Sequence, residues 1–216
     1  MTTPESRWGR RGHQARSVVT QDLILDAAEE LFGERGIDAT SVVDVAERAD
    51  RSIGSLYHHF DTKELLVHAV VDRLIDGIQA EIDDFFAPNR WESRPALHIV
   101  RGYLRGTLGL DRSRPGYKRI GRELSMMDAE TLSRYRGLRQ RTGDGLRSLL
   151  LTRKDEFGHP DPKTGVRLVA DMCTAMVAAR VDRDTTPTQL SRLSDEKFVK
   201  AMLEAVAAIL QIDPED

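Results

Sequence analysis

Residues 40–63 concentrate the side chains in this sequence that suit contacts with a nucleic acid. The groups that could reach phosphates or base edges are those of Thr40, Ser41, Arg51, Ser52, Ser55, Tyr57, His58, His59 and Lys63. Hydroxyl, imidazole and ammonium groups are common donors to phosphate oxygens, and short donors also reach bases. Ile53 and Gly54 add an apolar and a thin position between them. The chemistry that this spacing predicts is non-covalent recognition of double-stranded DNA.

Other chemistries find little support in the sequence. His58 and His59 are adjacent, and adjacent side chains on a helix point about 100° apart, so we expect no metal site there. The paired carboxylates Asp83 and Asp84 are typical of an ordinary surface. The sequence has no glycine-rich phosphate loop and no Ser-His-Asp set that its pattern would bring together. We therefore expect no enzyme activity, no cofactor and no bound metal.

The local pattern of residues 40–63 predicts two short helices joined by a tight turn, followed by the start of a third. Thr40 or Ser41 can cap the first helix, with Asp44 as a capping-box partner. Asp50 falls in the turn, and Ser52 is a second N-cap. This is the plan of a helix-turn-helix, whose second helix enters the major groove. On spacing alone, an ordinary helical hairpin within a bundle is the alternative.

Composition places the chain among soluble globular proteins. It has 216 residues, of which 40% are hydrophobic and 31% charged. It has no apolar run approaching the roughly 18 residues of a membrane helix, and its N-terminus lacks the apolar core of a secretory signal. The single cysteine, Cys173, fits a reducing compartment. We expect a cytoplasmic protein without membrane contact.

The net charge of −3 does not favour DNA by bulk attraction, so binding must rest on a local face. Residues 1–18 carry Arg7, Arg10, Arg11 and Arg16 against the single acid Glu5. We expect this segment to be a basic, disordered arm, and such arms can follow phosphates or enter the minor groove.

Residues 20–65 resemble the DNA-binding domain of the tetracycline-repressor (TetR) family of bacterial transcription regulators. The residues that carry the resemblance are Leu25, Asp26, Ala27, Ala28, Leu31, Phe32, Gly36, Ala39, Thr40, Ser41, Asp44, Val45, Ala46, Ala49, Ser52, Gly54, Leu56, Tyr57, His59, Phe60, Lys63 and Glu64. Two positions depart from the family pattern. Asp50 stands where glycine is usual, and Val43 stands where many members carry a polar or basic residue that reaches the DNA.

The resemblance implies specific roles for residues in this segment. Tyr57, His59 and Lys63 are expected at phosphates, and residues 52–59 are expected in the major groove. Because Val43 is apolar, base reading is expected to rely more on the second short helix. The resemblance also implies a homodimer whose DNA binding responds to a small molecule.

The whole chain is predicted to be all-α, with about nine helices. Residues 1–18 form the arm, 19–65 the three-helix DNA-binding domain, and 66–216 a larger ligand-binding and dimerisation domain. Thr20 and Gly36 delimit the first long helix. The later helices are predicted at about 62–86, 92–110, 115–127, 129–156, 163–182 and 195–211.

Two sets of residues in the larger domain have candidate roles. The candidates to contact a ligand are Phe86, Trp91, Tyr103, Arg119, Arg122, Met126, Met127 and Arg139. The aromatic and methionine side chains could equally fill a core, and the arginines could form a solvated face. The candidates for dimerisation are the small or apolar residues Met172, Ala175, Ala179, Ala201, Ala205 and Ala208, which lie beside the core-facing stripes of the last two helices.

The sequence therefore favours a homodimeric DNA-binding transcriptional regulator, with a repressor released from its operator by a small-molecule effector as the expected form. The alternative is a helical adaptor that uses the hairpin for protein contacts. The identity of the effector, and whether the arginine-rich stretch 90–154 binds an anion, stay open.

Overall fold

The computed structural model describes residues 7–113, 119–120, 123, 129–181 and 192–212. Across these residues the secondary structure is helical and contains no strand, so the all-α prediction is confirmed. The α-helices are α1 (Arg7–Arg35), α2 (Val42–Arg48), α3 (Ile53–His59), α4 (Lys63–Phe85), α5 (Ala96–Ser113), α6 (Ala129–Leu151), α7 (Pro162–Val181) and α8 (Asp195–Leu210). Two short 3-10 helices lie at Pro88–Trp91 and Lys154–Glu156.

The described residues thus hold eight α-helices, whereas about nine were predicted. The difference is the helix predicted at 115–127, most of which lies outside the described residues. Within it, residues 119, 120 and 123 have helical backbone.

The N-terminal boundary of α1 corrects the prediction for residues 1–18. The helix begins at Arg7, so residues 7–18 are helical rather than an irregular arm, and Thr20 lies inside the helix instead of capping it. Residues 7–19 contain no proline, and their two glycines, Gly9 and Gly12, weaken a helix without ending it. A helix held by packing further along has no stop signal there and continues toward the N-terminus.

The described chain divides into two compact units. The first contains residues 7–74 together with 119, 120 and 123, and the second contains 75–113, 129–181 and 192–212. The predicted boundary at 65/66 falls earlier in the same helix. Because α4 runs without a break across Leu74 and Ile75, no change in sequence pattern marks the division.

In the first unit, α1 supplies the apolar surface on which the two short helices pack. Ile24, Leu31 and Phe32 of α1 are fully buried. The buried residues in the rest of the unit include Val45, Ala46, Leu56, Phe60, Leu66 and Val70. Helices of seven residues, such as α2 and α3, are unstable alone in water, so this packing is what keeps them folded.

Ion pairs join the polar side of α1 to α2 and α4. Arg48 of α2 lies 3.0 Å from Glu30 and 3.1 Å from Glu34. Arg73 of α4 lies 2.8 Å from Asp26 and 3.1 Å from Glu29. Because these side chains are partly solvated, each pair adds little stability, but the pairs fix how α2 and α4 are registered on α1.

The turn between α2 and α3 uses the backbone pattern that ends many helices. Asp50 has φ of 53°, its amide donates to the Glu47 carbonyl at 3.1 Å, and the Arg51 amide donates to the Ala46 carbonyl at 2.9 Å. These are the two hydrogen bonds of a Schellman motif. Asp50 therefore adopts the left-handed conformation usual for glycine, and the turn is intact.

Gly36 ends α1 in a conformation that only glycine adopts without strain. Its φ is 94°, and its amide donates to the Phe32 carbonyl at 2.9 Å. The side chain of Glu123 lies against it and accepts the Ile37 amide at 2.7 Å. Arg119 donates to the Glu34 carbonyl at 2.6 Å. Arg119 thus satisfies a carbonyl that α1 leaves without a helical partner at its C-terminus, and Glu123 satisfies the first amide after Gly36.

The second unit is a helical core formed by α5, α7 and α8, with α6 alongside. Its fully buried residues include Ile99, Val100, Leu104, Leu146, Val169, Cys173, Phe198, Val206 and Leu210. Burial raises the pKa of the Cys173 thiol to about 12, so this cysteine is a protonated core residue. No helix among the described residues is both long and apolar enough to cross a membrane.

Replacement of Gly36 by alanine tests the corner between α1 and α2. A Cβ there would meet the Glu123 carboxylate at 2.7 Å, in addition to the cost of positive φ. We expect Gly36→Ala to lower the free energy of unfolding by about 1–3 kcal/mol in chemical denaturation. Gly137→Ala is the matched control, because its Cβ would meet nothing within 4 Å in the helix α6. An equal effect of the two substitutions would contradict this account of the corner.

Candidate nucleic-acid interface

Helices α2 and α3 each begin with a serine cap. Ser41 accepts the Asp44 amide at 3.1 Å, and the Asp44 carboxylate accepts the Ser41 amide at 2.9 Å, which completes a capping box. Ser52 accepts the Ser55 amide at 3.1 Å. The capping predicted for Ser41 and Ser52 is confirmed. The hydrogen bonds of Ser41 hold the pKa of the Asp44 carboxyl below its usual range, so this cap is charged.

The two short helices form the helix-turn-helix that the sequence predicted. One side of α3 is buried through Leu56, and the residue after the helix, Phe60, is buried as well. The other side is exposed and contains Ser52, Ile53, Gly54, Tyr57 and His58, while Ser55 and His59 are half-buried. The structure therefore places the predicted recognition residues on a common helix with its opposite face anchored in the core.

Gly54 is the thinnest point of the exposed α3 surface. A Cβ built on it would have only one neighbour, the Ser52 hydroxyl at 4.0 Å. Nothing inside the unit requires glycine here, and glycine lowers helix stability by about 1 kcal/mol relative to alanine. A glycine that the fold does not need, at the first turn of an exposed helix, allows another molecule to approach the backbone.

The structure corrects the role predicted for Thr40. Its side chain is only 1% exposed. The hydroxyl donates toward the Gly36 carbonyl at 2.8 Å and the Leu31 carbonyl at 3.3 Å. Thr40 therefore holds the end of α1 and has no surface left for DNA, whereas its neighbour Ser41 is exposed.

The cations of the helix-turn-helix have different environments. Arg51 donates to the Asp50 carbonyl at 2.6 Å within the turn. Lys63 lies at the start of α4, with its ammonium nitrogen 3.5 Å from the Asp38 carbonyl. Arg35 pairs with Asp44 at 3.4 Å. Arg48 pairs with acids of α1, and helix α3 itself contains no arginine or lysine.

Burial lowers the pKa of His59 below its usual range, and the nearby His58 lowers it further. The two imidazole rings meet edge to face, with centroids 5.4 Å apart. His59 is consequently neutral near pH 7 and can donate one N–H group. No cluster of three or more potential metal ligands exists among the described residues.

An exposed apolar residue of this region, Val43, was not among the predicted contacts. Val43 of α2 is 43% exposed, close to the 42% of Ile53 and the 44% of Tyr57. The sequence signal that could have pointed to Val43 was its place at a position where the family resemblance implied a polar residue in contact with DNA.

Three of the predicted ligand contacts come together in the second unit. The ring of Phe85 lies 4.9 Å from that of Phe86, 4.9 Å from that of Trp91 and 6.4 Å from that of Tyr103. Trp91 packs directly on Gly102, and Phe86 packs on Gly145. Here the aromatic side chains fill the space between helices, which was the alternative reading of these residues.

The predicted arginine and methionine contacts are dispersed. Arg119 belongs to the first unit, where its bond to Glu34 replaces the predicted role at a ligand. Arg139 is exposed on α6. Arg122, Met126 and Met127 lie outside the described residues. Other arginines of the stretch form ion pairs, Arg134 with Asp76 at 3.1 Å and Arg141 with Asp83 at 3.6 Å, as a solvated face would.

The predicted dimerisation residues lie on the outer sides of α7 and α8. Ala175, Ala201 and Ala208 are exposed, and Met172, Ala179 and Ala205 are half-buried. Leu168, one turn before Met172 on α7, is 55% exposed. These two helices therefore carry small and apolar surface that the single chain does not cover.

Comparison with known proteins places this site in a family. Residues 24–70 match the family model described as bacterial regulatory proteins, tetR family. The chain is 46% identical over 67 residues to the HTH-type transcriptional repressor KstR2 of Rhodococcus jostii, covering 31% of this chain and 29% of the relative. It is 51% identical over 74 residues to the HTH-type transcriptional repressor Rv3405c of Mycobacterium tuberculosis, covering 34% and 39%. The matches thus span less than half the length of these relatives.

The fold extends the similarity beyond the first helices. The crystal structure of AibR in complex with isovaleryl coenzyme A and operator DNA superposes with a TM-score of 0.61 at 20% identity. The superposition covers 90% of this chain and 100% of the other. At this identity the likeness shows the fold. Residues 24–70 therefore match the tetR family of bacterial regulatory proteins, and the chain as a whole shares the fold of the AibR structure.

Proposed function

We propose that this protein is a transcriptional regulator that binds double-stranded operator DNA as a homodimer and is a repressor released by a small-molecule effector. The observation that carries the proposal is the helix-turn-helix, in which α3 is anchored by buried Leu56 and exposes Ile53, Gly54 and Tyr57. The relatives KstR2 and Rv3405c, which match through this same region, are named as transcriptional repressors.

In this proposal, the exposed side of α3 enters the major groove. Tyr57, His59 and Lys63 contact phosphates, and Ser41 and Ser55 donate short hydrogen bonds to the DNA backbone. Ile53, Gly54 and His58 face the base edges. Arg51, next to the turn, adds a positive charge beside the phosphates. Because the chain is acidic overall, affinity comes from this local set, and it falls as salt rises.

Homodimerisation would join two such heads through α7 and α8. The exposed Ala175 on α7 and Ala201 and Ala208 on α8, with the half-buried Ala179 and Ala205 beside them, allow close approach of helices from a second copy. Two-fold docking then requires operator half-sites roughly 34–36 Å apart.

Effector release follows from linkage. A ligand that binds better to the form of the dimer that does not fit the operator shifts the equilibrium away from DNA by its differential affinity. AibR is described in complex with both isovaleryl coenzyme A and operator DNA, so a protein of this fold holds both kinds of partner.

Footprinting on the DNA that flanks the chain's own gene tests the proposal directly. We expect a protected region with two-fold symmetry at low salt, and binding that weakens as salt increases. The proposed function would be contradicted if this DNA stayed unprotected at low salt and a genome-wide binding experiment also found no bound site. Stable capture of a protein partner instead would support a helical adaptor.

Gly54→Ala separates DNA docking from folding. The added methyl group faces open space, so we expect the variant to be as stable as the wild type or more stable by up to about 1 kcal/mol. We expect its affinity for the footprinted DNA, measured by fluorescence anisotropy, to fall at least about tenfold because α3 can no longer approach the groove as closely. Gly137→Ala, on α6, is the control and should leave affinity unchanged. Unchanged affinity in Gly54→Ala would contradict the docking model.

The pH dependence of binding tests His59. Its pKa is lowered in the free protein, and a phosphate contact favours the protonated ring, so binding takes up a proton. We therefore expect affinity to rise as the pH falls from about 8 to about 6. In His59→Asn this rise should be smaller, while His68→Asn, on α4, keeps it. A slope equal to that of the wild type in His59→Asn would exclude the phosphate contact.

Charge insertion on α7 tests dimerisation. Ala175→Arg would bring two like charges together across a two-fold interface without disturbing the core, since Ala175 is exposed in the single chain. We expect the variant to sediment as a monomer at concentrations where the wild type is a dimer. Ala129→Arg, at the exposed start of α6, serves as the control and should stay dimeric. A dimeric Ala175→Arg variant would place the interface elsewhere.

A further inference from the structure

We propose that this chain identifies its DNA sites by packing Val43 and Ile53 against the C5-methyl groups of thymine in the major groove. The inference rests on the proposed function and names the base feature that the helix-turn-helix reads. It assigns a reading role to Val43 on α2 in addition to the residues of α3.

The starting observation is an unusual distribution of apolar surface. Within the helix-turn-helix, Val45, Ala46, Ala49, Leu56 and Phe60 are all buried. Val43 and Ile53 are instead 43% and 42% exposed. Each lies in the first turn of its helix. Val43 is the second residue of α2, after Val42, and Ile53 directly follows the Ser52 cap of α3. The two large aliphatic side chains are therefore exposed beside a core in which these five other apolar residues are buried.

Hydrogen-bonding readers are scarce on the same surface. Residues 40–60 contain no asparagine, glutamine or lysine. Of the two arginines, Arg48 pairs with Glu30 and Glu34, and Arg51 donates to the backbone of the turn. Bidentate contacts to guanine or adenine normally come from arginine, asparagine or glutamine. Discrimination between base pairs must then come largely from shape and apolar contact.

Thymine is the unmodified base that offers an apolar group in the major groove, its C5-methyl. Valine and isoleucine are suited to meet it because branching at Cβ restricts χ1 and little side-chain freedom is lost on docking. Gly54, next to Ile53, adds no side chain that would hold the helix away from the bases. Tyr57, whose hydroxyl is proposed to contact a phosphate, is the third exposed apolar residue and would orient the helix without reading a base.

The test begins with DNA selected from random duplexes by the full-length protein. Each thymine of the selected half-site is then replaced by deoxyuridine, which removes only the methyl group. We expect one or two positions per half-site at which this replacement weakens binding about fourfold, the factor that corresponds to burying one methyl-sized group. Positions outside the contacted steps should change by less than about twofold.

Variants then assign each methyl group to a side chain. Val43→Ala removes both γ-methyl groups of the valine, and Ile53→Ala removes the contact at the other helix. In each variant, the fourfold preference for thymine over uracil should fall to about one at one position and persist at the other. Leu23→Ala, which alters an exposed leucine on α1, is the control and should keep both preferences.

The outcomes separate the inference from the function on which it rests. If the wild-type protein enriches no sequence, the proposed function fails. If it enriches a sequence but deoxyuridine has no effect at any position, or if Val43→Ala and Ile53→Ala both retain the wild-type preferences, methyl reading is overturned while DNA binding stands. If each variant unfolds at the same temperature as the wild type, a lost preference for thymine does not come from a loss of folded structure.

Discussion

Helix α3 cannot hold its own shape in water, and the burial of Leu56 and Phe60 beside α1 is what makes it a rigid surface. A helix of seven residues lies well below the length at which isolated helices become stable. Its stability therefore comes from the core of the first unit, in which Ile24, Leu31 and Phe32 of α1 are fully buried. Everything that we propose for DNA binding depends on this anchoring, because the exposed face is ordered only while the opposite face is packed.

The polar contacts around this core fix the positions of the helices more than they add stability. Thr40 and the Arg48 and Arg73 ion pairs connect α2 and α4 to α1, and Arg119 and Glu123 satisfy backbone groups at the end of α1. Most of these pairs are partly solvated, and each is individually weak. Two cations of the unit, Arg48 and Arg73, are thus neutralised by acids of α1, while Arg51 and Lys63 contact only backbone carbonyls and keep their charge for the proposed phosphate contacts. The surface of α2 and α3 adds small polar groups and two aliphatic side chains, which favours recognition of the bases by shape.

In the second unit, the residues that looked suited to a ligand are engaged with one another. Trp91 and Phe86 lie against glycines, Gly102 and Gly145, where any side chain would collide with their rings. Tyr103 is buried beside Phe85, and desolvation raises the pKa of its hydroxyl. An effector that binds here must therefore displace or reorganise aromatic packing, and such reorganisation is a physical means by which a ligand could favour one state of the protein over another.

The sequence by itself determined the helical class, the serine caps at Ser41 and Ser52, the turn at Asp50 and the family resemblance of residues 20–65, because these depend on residue types at short, fixed spacing. Tertiary structure decided which of the candidate residues are accessible. Thr40 and Ser41 are neighbours with the same kind of donor, yet one is buried and the other exposed. Val43 is exposed although it is apolar, and Arg119 contacts a carbonyl 85 positions away along the chain. Burial and long-range partners depend on how helices pack, and the local pattern of a helix does not encode which of its polar groups its neighbours will cover.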